Sequence, residues 1–251
     1  MSNLLVFVCI YFLIVLAEIF MGVDKYIGIF FHSVVILAVL SYLTYVRNNN
    51  SCRVVTPLIL LPILRFVNVS APIFFPYTIY WLPLVYFPLF LSVYAVVRAL
   101  DMGVEDIGFK FEKIYLYAPL GIVIGFIFAI IEFKILEPSN LIPVLGISGV
   151  LTLIIVMFIF VALAEELIFR SVLQTSFERY FGSIRGILLA TGLFAIMHIR
   201  YGVLEFLFTF FAGFVIGYIF YKTRSLPFIV TIRGTIDFMI FGGFHIIGLR
   251  I

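Results

Sequence analysis

Ala164-Glu165-Glu166-Leu167-Ile168-Phe169-Arg170 places two adjacent carboxylates and a guanidinium inside a long apolar run. A charged side chain at bilayer depth costs about 2.5–3.5 kcal/mol on insertion scales, so charges kept there pair, face the protein interior and mark function. Glu166 and Arg170 are spaced i, i+4 with the carboxylate first, which stacks them on one helix face. Glu165 is rotated by about 100° from Glu166 and has no helical partner three or four residues away. One carboxylate is thus held by Arg170 while the other is free to act as a general base or acid. A purely structural salt-bridge cluster is the competing reading of the same residues.

Two later segments carry further chemistry. Phe194-Ala195-Ile196-Met197-His198 puts a histidine at the end of an apolar stretch, and Arg233-Gly234-Thr235-Ile236-Asp237 again sets opposite charges at i, i+4. Alone, the histidine reads as a packing residue and the Arg/Asp pair as a self-neutralising bridge. Beside a glutamate pair they become walls of one polar pocket, with Gly234 admitting another backbone. Arg65 also lies within an apolar run and calls for an acidic partner among residues such as Glu18 and Glu132. His32 and His245 have no comparable company and read as structural.

The elements that must position these side chains are membrane helices. Of 251 residues 65% are hydrophobic and 12% charged, against about 25% charged in a soluble domain. Apolar windows of about 20 residues recur between short polar breaks, the pattern of a polytopic all-α bundle. Candidate helices run over 3–22, 27–46, 54–69, 75–97, 115–133, 148–176, 185–199, 203–221 and 226–247, giving eight to nine membrane helices. The third is short and carries Pro57 and Pro62, so it is either a span or a re-entrant segment. The first lacks a basic leader and a small-residue cleavage site and reads as a span rather than a signal peptide.

With nine true spans and the N-terminus cytoplasmic, Arg47, Arg53, Arg98, Lys110, Lys113, Arg179, Arg185, Lys222 and Arg224 fall inside, and Lys25, Lys134, Arg200 and Arg250 outside, as the positive-inside rule requires; a third segment that does not span inverts every later helix. That distribution accounts for the net charge of +3 without a nucleic-acid partner. The chain divides into N-terminal helices (1–97), an amphipathic cytoplasmic linker (98–113) and a core (114–251) carrying the candidate site. Cys9 and Cys52 show neither redox nor metal spacing. Gly121-x-x-x-Gly125 and Gly213-x-x-x-Gly217 would allow close helix approach, read as packing within one bundle in preference to dimerisation.

Taken in order, Glu165-Glu166-x-x-x-Arg170, Phe194-x-x-x-His198 and a four-spaced polar pair on the last helix resemble the CAAX protease and bacteriocin-processing family of intramembrane glutamic endopeptidases. Ile107-Gly108-Phe109, the run Phe211 to Gly217, and Thr223-Arg224-Ser225-Leu226-Pro227 add to the resemblance, which spans roughly residues 100–240. It implies that Glu165 activates a water for attack on a peptide carbonyl with His198 assisting, while Glu166 and Arg170 order the site. It implies no cofactor and no metal, and a membrane-anchored peptide or protein as substrate: a prenylated CAAX terminus, a bacteriocin leader or a C-terminal sorting signal. Family members carry His-x-x-x-Asn on the last helix to stabilise the oxyanion. Here those positions are Arg233 and Asp237, with Ser171 in place of the first motif's trailing glycine. A guanidinium can donate to an oxyanion and Asp237 can orient it.

Three rival readings remain beside this one. A transporter would require repeated halves or paired broken helices, which the sequence lacks. A catalytically inactive scaffold would use the charges structurally. A metalloprotease would use Glu165, Glu166, His198 and Asp237 as ligands, without the His-Glu-x-x-His pattern.

Overall fold

In a computed structural model the chain is described over residues 3–46, 52–69, 78–136, 138, 141 and 146–248. Position 75, read as the start of the fourth helix, and the basic residues Arg47 and Arg250 lie outside these. Among the described residues there is no strand, and eight helices are long and apolar enough to cross a membrane. They are α1 (Asn3–Val23), α2 (Lys25–Tyr45), α3 (Cys52–Val69), α4 (Thr78–Ala99), α5 (Ile114–Leu136), α6 (Ile147–Phe181), α8 (Val203–Thr223) and α9 (Leu226–Ile246). The shorter α7 (Ser183–Ile196) runs between α6 and α8. The protein is an integral multi-pass membrane protein built as an all-α bundle.

The proline-rich α3 is helical throughout. Thr56–Ile59 is one 3-10 turn with Pro57 at its start, and Pro62 falls in the first turn of Leu60–Val69. Each proline lacks the N–H that an interior helical position donates, and the segment tightens to a 3-10 turn beside them. Eighteen residues at about 1.5 Å each give a segment of about 27 Å, close to a bilayer core.

Hydrogen bonds define the two ends of the bundle. At one end lies the segment after α4, which is a series of turns rather than a helix. It is fastened to the core by Ser171 Oγ donating to the Ile107 carbonyl (2.6 Å), Leu226 N to the Gly108 carbonyl (2.7 Å) and an Arg179–Asp106 ion pair. Gly108 is required there: its φ is +77°, and a Cβ would stand 2.6 Å from the Phe220 ring. At the other end Leu141 N donates to the Phe241 carbonyl (3.0 Å), and Gly22 packs on the Arg200 backbone. The first is the linker end of the bundle and the second its mouth end.

The small-residue motifs pack helices inside the bundle. A Cβ on Gly125 would approach the Ile232 carbonyl to 2.5 Å and Thr235 Cβ to 2.7 Å, so α5 lies directly on α9. Gly213 and Gly217 make room on α8 for the polar heads of Arg170 and Gln174. Gly234 admits the ring of Phe158, at 2.5 Å from its would-be Cβ, rather than a backbone.

Candidate active site

Helix α6 is not uniformly α-helical. Val156–Ala162 and Leu167–Gln174 are π-helical, and Leu163–Glu166 is a single α-turn between them. π-segments widen the helix and re-aim side chains, and they recur at functional sites. Glu165 and Glu166 sit on that turn and part company. Glu166 is fully buried with its Oε2 3.3 Å from Arg170 Nε. Glu165 turns into a cavity of about 540 Å³.

His198, Arg233 and Asp237 line the same cavity as Glu165. Three helices thus converge on one space: α6 supplies the glutamate, the end of α7 the histidine, and α9 the Arg/Asp pair. Arg233 bridges the carboxylates, with Nη2 3.4 Å from Glu165 Oε2 and Nε 3.4 Å from Asp237 Oδ1. Neither contact is an aligned hydrogen bond; Arg233 Nε and Glu165 Oε2 both lack a hydrogen-bond partner. They are charge contacts that leave guanidinium N–H groups for another acceptor.

His198 Nδ1 lies 3.0 Å from the Phe194 carbonyl. A carbonyl only accepts, so the proton is on Nδ1 and Nε2 is left as the acceptor. Phe194 also carries two guanidinium groups on its ring: that of Arg170 is 4.5 Å and that of Arg233 5.2 Å from the ring centroid. Both distances are within cation–π range. Arg170 Nη2 donates to the Gly213 carbonyl (3.2 Å), which locks α6 to α8 beneath the cavity. Of the residues singled out from the sequence, Glu165, His198, Arg233 and Asp237 share the cavity, while Glu166 and Arg170 lie behind it.

Three contributors were not assigned from the sequence. Tyr86 on α4 donates its hydroxyl to Glu165 Oε1 (3.2 Å), and Glu132 on α5 sits buried on the cavity wall. Arg65 on α3 lines it as well and takes Glu18 on α1 as its acidic partner, with His32 Nε2 3.2 Å from the same carboxylate. Glu132 carried a signal, being an acid at membrane depth; Tyr86 is one of 14 tyrosines and carried none.

Among the described residues no three His, Cys, Asp or Glu side chains are grouped to hold an ion. Glu166 is turned toward Arg170, and Arg233 stands between Glu165 and Asp237.

Residues 147–239 match the family model described as type II CAAX prenyl endopeptidase, Rce1-like. That segment contains Glu165, Glu166, Arg170, His198, Arg233 and Asp237, and the match agrees with the resemblance drawn from the motifs. No curated protein and no solved structure matches the chain.

Proposed function

We propose that the protein is an intramembrane endopeptidase in which Glu165 activates water to cleave a peptide bond of a membrane-associated peptide or protein. The observation that carries this reading is the convergence of Glu165, His198, Arg233 and Asp237 on one cavity, together with the Rce1-like match over the same segment. In the proposed step Glu165 takes a proton from water as the oxygen bonds to the peptide carbonyl carbon. His198 Nε2 accepts a hydrogen bond from the water's remaining O–H and orients it. The carbonyl oxygen gains negative charge and faces the Arg233 N–H groups, which Asp237 aims. The tetrahedral intermediate then collapses, the C–N bond breaks, and the Glu165 proton passes to the leaving amine. General-base catalysis of this kind contributes about 10²–10⁴-fold, and each preorganised oxyanion donor about 10²–10³-fold. No cofactor enters the step. Glu166 and Arg170 position the turn that carries the base, the N-terminus is cytoplasmic, and 98–113 joins the N-terminal helices to the core.

One observation favours a second reading, a catalytically inactive scaffold: Glu165 already contacts Arg233 and Tyr86, so the cluster is neutralised from within. The two readings separate on reconstitution of the full chain with membrane-anchored peptides. The endopeptidase reading expects cleavage that is lost in Glu165→Ala and His198→Ala while both variants remain folded. Cleavage that survives both substitutions excludes this site, and an absence of cleavage across a broad peptide library supports the scaffold.

A further inference from the structure

The cavity has a direction. Its exposed lining residues, Val69, Arg200 and Tyr201, all lie at the mouth end, as do Leu141 and Phe241, which are hydrogen-bonded to each other there. On the opposite side the cavity floor is closed. Phe169 and Phe194 are buried, and beneath them Arg170, Ser171 and Gln174 are almost wholly inaccessible. Below those residues the linker is fastened across the base of the core by Ser171 and Leu226. A peptide therefore reaches Glu165 from the mouth end and not from the linker end.

Basic residues are distributed unequally between these ends. Those counted from the sequence as lying on the N-terminal side, Arg47 apart, gather at the linker end: Arg53 and Arg179 share a surface hollow with Met102, and Lys110, Lys222 and Arg224 surround the Gly108–Leu226 contact. The mouth end has Lys25, Lys134 and Arg200. Lysine and arginine in short loops are retained on the cytoplasmic side. The closed, basic end is then cytoplasmic and the open end extracytoplasmic.

We infer that the cavity admits its substrate from the extracytoplasmic face, so that the substrate class is the membrane-proximal segment of an exported, membrane-anchored polypeptide rather than a cytosolic lipidated C-terminus. The inference rests on the endopeptidase reading for the word substrate, but the direction of the cavity stands without it. The mouth suits such a segment chemically. Trp81, Leu82 and Leu141 give it apolar walls at the level where a peptide leaves its anchor, and the polar groups that would act on the backbone lie deeper.

Two measurements on the full chain test this. In a Cys9→Ala, Cys52→Ala background, Val203→Cys beside the mouth and Val104→Cys in the linker are both strongly exposed, and neither lines the cavity. A membrane-impermeant maleimide should label Val203→Cys in intact cells and Val104→Cys only after permeabilisation. The reverse pattern overturns the inference and leaves the endopeptidase reading untouched. An acyl-anchored peptide library added to sealed vesicles should be cleaved, in a Glu165-dependent way, with right-side-out vesicles and not with inside-out ones. Cleavage confined to inside-out vesicles overturns the inference. Loss of cleavage in both orientations and in detergent removes the endopeptidase reading, and with it the assignment of a substrate.

Discussion

Arg65 holds Glu18 through Nε and Nη2 at 2.7–2.9 Å, and the same Nη2 donates to the Met197 carbonyl at 2.7 Å, one residue before His198. An ion pair between α1 and α3 thus fixes the chain at the end of α7, in the turn that presents the histidine. The family match begins at residue 147, so this support comes from helices that the match does not cover.

Breaking that pair from one side should be costly. Glu18→Gln or Arg65→Ala leaves a buried partner uncompensated, with an expected loss of about 3–5 kcal/mol. Turnover should fall with it as the Met197–His198 turn loosens. Thermal unfolding in mixed micelles and peptide cleavage would measure both. The double variant Glu18→Gln, Arg65→Met should recover stability but not full turnover, because it removes both charges without restoring the bond to Met197. Full turnover in the double variant would show that Arg65 has no role in placing His198.

Arg233 separates a donor role from a structural one. Arg233→Ala should lower kcat by about 10²–10³-fold if an oxyanion donor is lost. Arg233→His with Asp237→Asn installs the pair that the resembled family carries on its last helix and should keep most of the activity. Equal loss in both variants would assign Arg233 to charge balance with Glu165 and Asp237 rather than to the transition state.

The Tyr86 hydroxyl is a neutral donor to Glu165. A hydrogen bond to a charged group contributes about 1.5–3 kcal/mol. Tyr86→Phe should therefore change kcat by roughly ten- to a hundredfold, with a loss of stability no larger than that single hydrogen bond, since the ring's packing is retained. A large fall in stability without a change in kcat would place Tyr86 in the scaffold alone.

What could be read from the sequence was what helix geometry fixes. Glu166–Arg170 and Arg233–Asp237 both meet because four residues make about one turn, and the apolar windows located the spans. The Gly121-x-x-x-Gly125 motif correctly indicated packing within the bundle. Contacts between distant helices were not legible. Arg65 needed an acid, but Glu18 and Glu132 satisfied the sequence equally; only the path of α3 past α1 selects Glu18. Tyr86 reaches Glu165 because α4 packs against the π-helical part of α6, and no local pattern foretells a π-segment. The direction of the cavity was hidden for the same reason: it depends on which helix ends are tied together, by Leu141–Phe241 at one end and Gly108–Leu226 at the other.

The α5–α9 seam gives a graded test of how tightly Arg233 is placed. At Gly125 a methyl group would meet a backbone oxygen at 2.5 Å, which cannot move without shifting α9. At Gly121, one turn away, the nearest atoms are Thr231 Cβ and Cγ2 at 3.0 Å and the Phe228 carbonyl at 3.3 Å, a looser fit that calls for a smaller shift. Overpacking of this kind costs about 1–3 kcal/mol. Gly125→Ala should therefore lie toward the upper end and Gly121→Ala toward the lower, read as unfolding midpoints in mixed micelles. Ile232 precedes Arg233, so the displacement at Gly125 is passed directly to the guanidinium, and kcat should fall more in Gly125→Ala than in Gly121→Ala. If both variants lose stability equally while kcat is unchanged, α9 can shift without disturbing the site, and the seam supports the fold but not the placement of Arg233.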